Sequence, residues 1–436
     1  MSTVNKRAKV DPVFTHEGAR AANINALQTL RRSIMACMLW ENEFYEDGET
    51  IADRIKDLIK SLPFDKLPKV AEMAIEARSK QHLRHVPLLV VRSLVYAGYP
   101  VADVLSEIIQ RPDELAEFLS LYWKDGKTPI AKQVKKGLAK AFQKFSGYSL
   151  AKYNQDKDVK LRDVLFMVHA KPKDTEQAEL WKKLVDGTLE IPDTWEVELS
   201  KGGDKKESWT RLIQQEKLGG LATLRNLRNM QEAGLESALI TQAIAQADYS
   251  RVLPFRFIAA ARYAPAYEAD LEKAMLSRLE KYEKLPGETI LLVDVSGSMN
   301  QNLSEKSDML RCDAGFGLAM ILREVCEKIH IFTFSENLIE IPARRGMALR
   351  DAMNASQPHS GTYLGSAVSR FKGVEFDRLI VISDEQSADS VPNMGKNAYM
   401  LNVASNKNGV GYGEWTHIDG FSEACVDYII ESEKGE

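Results

Sequence analysis

Hydrophobic residues change their spacing abruptly at Leu285-Pro286-Gly287. From about residue 20 to this point, apolar residues recur every three or four positions, as in Ile51, Ile55 and Leu58, a spacing typical of amphipathic helices. Beyond it, short apolar and β-branched runs alternate with helical stretches. The chain is therefore expected to join two architectures, an all-helical part and an α/β part, with a domain boundary near Pro286.

The helical part contains roughly a dozen amphipathic segments separated by short breaks at Gly, Pro or Asn. Helices paired by short connections can bury their apolar stripes against neighbouring pairs, as in stacked helix hairpins of the HEAT type. No clean repeat period accompanies the pattern. The predicted fold of this part is an all-α, HEAT-like helical repeat.

Strand candidates dominate the second part. Their bounds are Thr289–Val293, Ile329–Phe334, Leu379–Ile382 and Ala398–Val403, and helical stretches lie between them. Nearly continuous apolar strands separated by helices indicate a mostly parallel sheet that is covered on both faces. We therefore predict a Rossmann-like α/β domain.

Composition limits the setting in which the chain can work. At 436 residues with 44% hydrophobic residues, it can form two or more cores, and it has no apolar run of the roughly 18 to 20 residues needed to span a bilayer. The first residues lack the apolar segment of a secretory signal, so we expect a cytoplasmic protein without a membrane partner. The four cysteines lack metal-ligand spacing and are expected to be buried small apolar residues.

Charge is distributed unevenly. Residues 287–436 carry 13 Lys and Arg against 22 Asp and Glu, a net charge of −9, so the first 286 residues have a net charge of +5. Within them, residues 127–173 hold 12 basic and 3 acidic residues, a net charge of +9. This excess predicts a polyanionic partner for the helical part.

Four lysines follow one another at four-residue spacing on a predicted helix: Lys132, Lys136, Lys140 and Lys144. Like charges at this spacing oppose helix stability by about 0.2 to 0.5 kcal/mol per pair, a cost that a row of phosphates would offset. The alternative is a solvated lysine face without a ligand. Because no zinc finger or RNP-like motif is present, we expect binding through phosphates, shape and loose ends of RNA, with Lys152 and Lys171 in the same basic stretch.

The segment Asp294-Val-Ser296-Gly-Ser298 follows the apolar run at residues 290–293. Thr362 opens a later helix and Asp384 follows another strand, so these oxygen ligands are expected at the carboxyl edge of the sheet. Carboxylates and hydroxyls favour a hard cation such as Mg²⁺. The alternative is a helix cap made by the serines.

The sequence motifs of known enzyme classes match this segment less well than a cation site does. An aspartyl phosphatase would have a second acid at the position of Ser296, a serine hydrolase needs G-x-S-x-G, and no phosphate-binding P-loop is present. Two acids without a second acidic set also disfavour a two-metal nuclease. We therefore predict a binding protein with no catalytic residues.

Asp294, Ser296, Ser298, Thr362 and Asp384 resemble the metal-ion-dependent adhesion site of von Willebrand factor A domains. Three stretches of the helical part resemble the TROVE module of Ro ribonucleoproteins: residues 161–172, with His169 and Lys171 in an L-x-x-x-H-x-K-P pattern, residues 220–230, and residues 251–258. The resemblance runs from about residue 16 to the end, which implies a helical RNA-binding domain at 16–286 and an A-type domain at 287–436.

The resemblance implies a ring of HEAT-like helices closed by an A domain that binds Mg²⁺. It implies a scaffold for noncoding RNA, either Y-like RNA or the single-stranded 3′ ends of misfolded RNA, in RNA quality control or stability. His169 stands where the family has a histidine in its Y-RNA surface. We expect a monomer without a DNA partner, with a protein partner such as an exoribonuclease. The alternative function is a Mg²⁺-dependent protein-interaction adaptor with incidental RNA binding.

Overall fold

The computed structural model describes most of the chain. The described residues are 13–14, 20–21, 26–35, 48–79, 83–154, 156–191, 194–200, 202–250, 252, 254–280, 284–304, 307–395, 397–404, 415–419, 425–426, 429–430 and 433. They form two compact units. One comprises the described residues of 49–252 and 263–270, here called the helical unit, and the other those of 1–48, 253–262 and 271–436, here called the sheet unit.

Helices account for nearly all regular structure before residue 285 in the described part of the chain. They are α1 (Ala26–Met35), α2 (Gly48–Ser61), α3 (Leu67–Ser79), α4 (His85–Tyr96), α5 (Ala102–Ile108), α6 (Pro112–Tyr122), α7 (Lys132–Phe142), α8 (Gly147–Tyr153), α9 (Leu161–Met167), α10 (Thr175–Asp186), α11 (Trp195–Ser200), α12 (Lys205–Gln214), α13 (Gly220–Glu232), α14 (Ser237–Gln246), α15 (Phe255–Tyr263) and α16 (Glu268–Leu279). A short antiparallel pair, β1 (Val13–Phe14) and β2 (Arg20–Ala21), precedes them.

Close packing of α5 on α7 shows how the helical unit buries its apolar stripes. Val134, Leu138 and Phe142 of α7 are fully buried. Gly137 lies on the same side of α7, where a Cβ atom would stand 2.8 Å from the carbonyl oxygen of Ala102. The missing side chain lets the two helix backbones approach, and Lys140 of α7 forms an ion pair with Asp103 of α5.

The sheet unit contains the strands β3 (Leu285–Asp294), β4 (Asn302–Ser304), β5 (Ser307–Leu310), β6 (Cys326–Phe334), β7 (Leu338–Glu340), β8 (Arg378–Ser383), β9 (Ala398–Asn402) and β10 (Thr416–Asp419). Its helices after β3 are α17 (Arg311–Val325), α18 (Gly346–Asn354) and α19 (Leu364–Ser369). Six strands form one sheet in the order β10-β9-β8-β3-β6-β7, parallel except for β7 at one edge, and β4 pairs with β5 as a separate hairpin.

The predicted order of an all-helical part followed by a mostly parallel α/β part is confirmed. All four predicted strands are present, as β3, β6, β8 and β9. The pair β1–β2, the hairpin β4–β5 and the edge strands β7 and β10 were not predicted, because these segments are only two to four residues long and carry no long apolar run. The domain boundary near Pro286 stays a prediction.

Two smaller expectations concern cysteines and membranes. Cys312, Cys326 and Cys425 are buried and free of disulfides, as predicted, whereas Cys37 lies outside the described residues. Among the helices that the structure describes, each is too short or too polar to cross a membrane.

Candidate cation site and basic surface

The carboxyl edge of the sheet brings three loops together around β3. This strand lies between β6 and β8, and its partner on β8 is in parallel register, with Val293 opposite Ile382. Asp294 at the end of β3 and Asp384 just after β8 therefore leave the sheet at the same edge. The chain passes from β3 to β6 on one side and returns to β8 on the other, so this edge is the point where the strand order reverses and where α/β proteins bind ligands.

Asp294 is completely buried, and both of its carboxylate oxygens accept hydrogen bonds. Oδ1 accepts from the backbone N–H of Ser296 at 2.8 Å, and Oδ2 accepts from the hydroxyl of Ser383 at 2.6 Å. Burial, followed by the charge of Asp384, raises the pKa of Asp294 to about 7. The two acids therefore share a water-poor site in which their negative charges oppose each other.

Hydroxyl groups surround these carboxylates. The hydroxyl oxygens of Ser296 and Ser298 lie 3.3 Å apart, and Ser296 and Thr362 are buried. Backbone hydrogen bonds tie their loops together: Gly297 N–H donates to the carbonyl of Ser360 at 2.8 Å, and the carbonyl of Thr362 accepts from Ala388 N–H at 2.8 Å. The loops that carry the five predicted ligands are thus linked to one another.

Two serines that the sequence reading overlooked hold these loops in place. Ser335, directly after β6, accepts from Ser360 N–H at 3.0 Å and donates to the carbonyl of Gly361 at 2.9 Å. Ser383, the last residue of β8, donates to Asp294 and accepts from Glu385 N–H at 2.9 Å. Their positions at strand ends were the available signal, since the carboxyl ends of neighbouring parallel strands meet at one edge.

A buried arginine was also overlooked. Arg311, the first residue of α17, is 1% exposed, and its Nη1 donates to Oδ2 of Asp384 at 3.3 Å. It lies 73 residues from Asp384 in the chain, so no local spacing could have indicated the contact. Asp384 therefore has a buried arginine of the protein itself as an ion-pair partner.

The donor chemistry of this edge fits a hard divalent cation. Carboxylate and hydroxyl oxygens are what Mg²⁺ prefers, and a buried pair of acids gains from a nearby positive charge. Within the described ranges, no three His, Cys, Asp or Glu residues form a metal-binding group, so serine and threonine hydroxyls would have to complete any ligand set. Arg311, by contrast, does not favour a cation here, because its positive charge would repel one.

The four lysines at four-residue spacing on and just after α7 differ in their contacts within the protein. All four lysines are exposed to solvent, but they differ in their partners, and Lys140 forms an ion pair of 2.8 Å with Asp103 of α5. Among the residues that the structure describes, Lys132 and Lys136 have no ion-pair partner. The hydrogen bond from Lys140 lowers the pKa of Asp103.

Lys144 has a role within the protein. Its Nζ donates to the carbonyl oxygens of Ser106 and Ile109, the latter at 2.5 Å, at the carboxyl end of α5. A cation at this end of a helix satisfies open carbonyls and complements the helix dipole. Partial burial lowers the pKa of Lys144. Its predicted contact with RNA stays a prediction that competes with this cap.

The loop with His169 and Lys171 lies against the end of α7. Gln143 Nε2 donates to the carbonyl of Lys171 at 2.8 Å, and the carbonyl of Gln143 accepts from Gln177 Nε2 at 2.9 Å. His169 is exposed and has a left-handed backbone with φ of 54°. The structure therefore brings the predicted histidine and Lys171 next to the lysine helix.

Lys152 lies on α8, with its Nζ 5.8 Å from the ring centre of Tyr153. Beside the start of α8, a cleft of about 630 Å³ is lined by Tyr148, Leu180, Lys183, Leu189, Ile191 and Lys217, among others. The side chains of Tyr148 and Ile191 are more than half exposed. The lining thus combines an aromatic ring and apolar walls with the amines of Lys183 and Lys217 and the carboxylate of Glu190.

Comparison with known families places these features in context. Residues 182–361 match the TROVE domain. The match includes α13, whose segment at residues 220–230 suggested the resemblance, and continues through β3 and the Asp294 loop to Gly361. The matched region thus contains residues of both compact units.

Individual relatives are similar over different lengths. The "Telomerase protein component 1" of Mus musculus is 38% identical over 89 residues, which is 19% of this chain, and that of Rattus norvegicus is 37% identical over 89 residues. The matched part is about 3% of the length of these relatives. The solved structure of the Deinococcus radiodurans RO (RSR) protein matches with a TM-score of 0.64 and 17% identity, covering 94% of this chain and 100% of that one, which is a likeness of fold.

Proposed function

We propose that this chain is the RNA-binding scaffold of a ribonucleoprotein that contains a noncoding RNA. The RNA is Y-like RNA, the single-stranded ends of misfolded RNA, or both, and the complex serves RNA quality control or stability. Residues 182–361 match the TROVE domain, and TROVE-domain proteins bind RNA in ribonucleoproteins. The proposal is carried by the exposure of Lys132, Lys136, His169 and Lys171, together with the hydrogen bond that joins the loop of His169 and Lys171 to the end of α7.

The physical basis of binding is electrostatic. Lys132 and Lys136 project from successive turns of α7, so their amines can reach successive phosphates along one strand. His169 and Lys171 extend this surface because Gln143 ties their loop to the end of α7. An imidazole can donate to a phosphate or stack on a base, which suits RNA with exposed or single-stranded bases.

Salt dependence of RNA affinity tests this surface. Lys132→Ala/Lys136→Ala should weaken binding of a structured small RNA. It should also reduce the magnitude of the slope of log K against log salt by about 1 to 2, because fewer phosphate contacts form and fewer counterions are released on binding. Lys205→Ala/Lys206→Ala is the matched control, since it removes two adjacent exposed lysines from the first turn of α12. Equal effects of the two double variants would contradict the assignment of the surface.

A second function is supported by the oxygen ligands at the carboxyl edge of the sheet. We propose that Asp294, Ser296, Ser298, Thr362 and Asp384 hold Mg²⁺ or another divalent cation. When bound, the cation would accept a carboxylate oxygen from a protein partner. The chain would then act as a Mg²⁺-dependent adaptor, alone or together with RNA binding. Because the acids form a single pair, we expect binding at this site, with no hydrolysis of RNA.

Partner capture separates the two functions. The full chain, purified and treated with nuclease, should retain protected small RNAs if the first proposal holds. Asp294→Ala should abolish Mg²⁺-dependent capture of a peptide that presents a glutamate, while RNA affinity stays at the wild-type value. RNA hydrolysis by the wild type that disappears in Asp294→Ala would contradict a purely binding role.

A further inference from the structure

Arg311 has a side-chain position that helix stability does not explain. It is the first residue of α17, where the helix dipole disfavours a cation, and Asp313 already satisfies this end by accepting from Leu310 N–H at 2.8 Å. The guanidinium is nevertheless buried at the carboxyl edge of the sheet, with Asp384 as a completely buried partner. A buried charge of this kind needs compensation, and Asp384 provides it.

The backbone around Arg311 fixes where its side chain can reach. The hairpin β4–β5 leads from the Asp294 loop to α17, and Arg311 N–H donates to the carbonyl of Gln301 at 3.0 Å. The helix therefore begins next to the loop that carries Ser296 and Ser298. An arginine cannot lose its charge in a protein, so the positive charge is permanent.

We propose that Arg311 is an internal counter-cation of the Asp294–Asp384 pair and that it weakens the binding of a divalent cation at this edge. The inference rests on the proposed cation site and adds the determinant of its affinity. A divalent cation and the guanidinium both gain from Asp384, and each repels the other at short range. Since coupling between two ligands is reciprocal, a bound cation would loosen the contact between Arg311 and Asp384 to the same degree.

The counter-cation also has a consequence without metal. It keeps one of the two buried acids compensated, so the loops can stay folded when divalent cations are scarce. The site would then fill at higher concentrations of divalent cation than a site with the same oxygen ligands and no arginine.

Calorimetric titration of the full chain with Mg²⁺ tests the proposal. Arg311→Met, which keeps side-chain length without charge, should bind Mg²⁺ about 10-fold or more tightly than wild type, within the range of about 5- to 150-fold typical of such coupling. Arg311→Lys keeps the charge and should bind nearly as weakly as wild type. Asp384→Asn in each background should abolish binding, which assigns the heat to this site.

Thermal unfolding supplies a second readout. In a chelator, Arg311→Met should unfold at a lower temperature than wild type, and Mg²⁺ should restore most of the difference. Equal or weaker Mg²⁺ affinity of a folded Arg311→Met overturns the proposal, as does a loss of stability that Mg²⁺ does not relieve. If Arg311→Met does not fold, Arg311→Gln replaces it in the same comparison. Absence of binding to wild type and variant alike overturns the cation site as well, whereas RNA affinity tests the scaffold function separately.

Discussion

The hydroxyl of Ser383 donates a hydrogen bond of 2.6 Å to Oδ2 of Asp294, and both side chains are completely buried. This contact joins the ends of two neighbouring strands, β3 and β8, and fixes the orientation of a carboxylate that is expected to bind a cation.

Ser383→Ala should lower the free energy of unfolding by about 1 to 3 kcal/mol, because it leaves a buried carboxylate oxygen without one of its donors. Urea unfolding of the full chain measures the change. Ser79→Ala is the control: its hydroxyl donates to the carbonyl of Ile75 on an exposed part of α3, and we expect a change within about 0.5 kcal/mol. Equal losses in the two variants would show that the contact with Asp294 has no special weight.

Stability of the metal-free protein should depend on the protonation of Asp294. Its folded-state pKa of about 7 lies above the ordinary value of 3.8, so the folded state binds more protons than the unfolded state between these values. The free energy of unfolding should therefore fall as pH rises from about 4 to about 7, by at most about 4 kcal/mol from this group, and stay at the lower level above that range.

Asp294→Asn keeps the shape of the side chain without its charge. Comparing urea unfolding in a chelator at about pH 5 and about pH 8 should show a smaller difference for this variant than for wild type. A pH dependence that is the same in both proteins would mean that other groups cause it.

Lys144 and the pair of Lys132 and Lys136 should have separable effects. Lys144 caps α5 through the carbonyls of Ser106 and Ile109, so Lys144→Ala should lower the melting temperature of the helical unit. Lys132→Ala/Lys136→Ala should leave the melting temperature unchanged, since these side chains are exposed, and should weaken RNA binding. Circular dichroism melts and RNA titrations of the same preparations give both readouts. A strong loss of RNA affinity in a fully stable Lys144→Ala would restore Lys144 to the RNA surface.

Two adjacent glycines at the start of α13 should tolerate alanine very differently. A Cβ atom on Gly220 would stand 2.3 Å from the carbonyl oxygen of Asp248, whereas one on Gly219 would meet no atom within 4 Å. Gly220→Ala should therefore destabilise the protein by about 1 to 3 kcal/mol through overpacking, and Gly219→Ala should be nearly neutral. Differential scanning calorimetry of both variants checks this, and similar melting temperatures would contradict the close approach.

Much of the candidate cation site was predictable because its ligands follow strands. A run of apolar residues before Asp294, and another before Asp384, indicates buried parallel strands whose carboxyl ends meet. Ser335 and Ser383 were missed because a single serine at a strand end is common and has no spacing of its own. Arg311 was missed because its partner lies far away in the chain, on another element.

For the basic surface, the sequence predicted the positions of the lysines but not their partners. Periodicity was enough to predict that four lysines share one side of a helix, and α7 carries three of them, with Lys144 just beyond its end. Periodicity could not predict that α5 packs beside these lysines. As a result of that packing, Lys140 forms an ion pair with Asp103, and Lys144 donates hydrogen bonds to two carbonyls at the end of α5. Whether a lysine has a partner within the protein depends on the neighbouring helix, and the local spacing of residues carries no information about that helix.

The sequence alone determined the two architectures, the strands that end at the acids, and the excess of positive charge in the helical part. These follow from periodicity and composition, which are local properties of the chain. The tertiary structure decided which charged side chains are available to a ligand and which have partners within the protein. That outcome depends on contacts between residues distant in sequence, such as Arg311 with Asp384 and Lys144 with Ile109, and these form only when helices and strands pack.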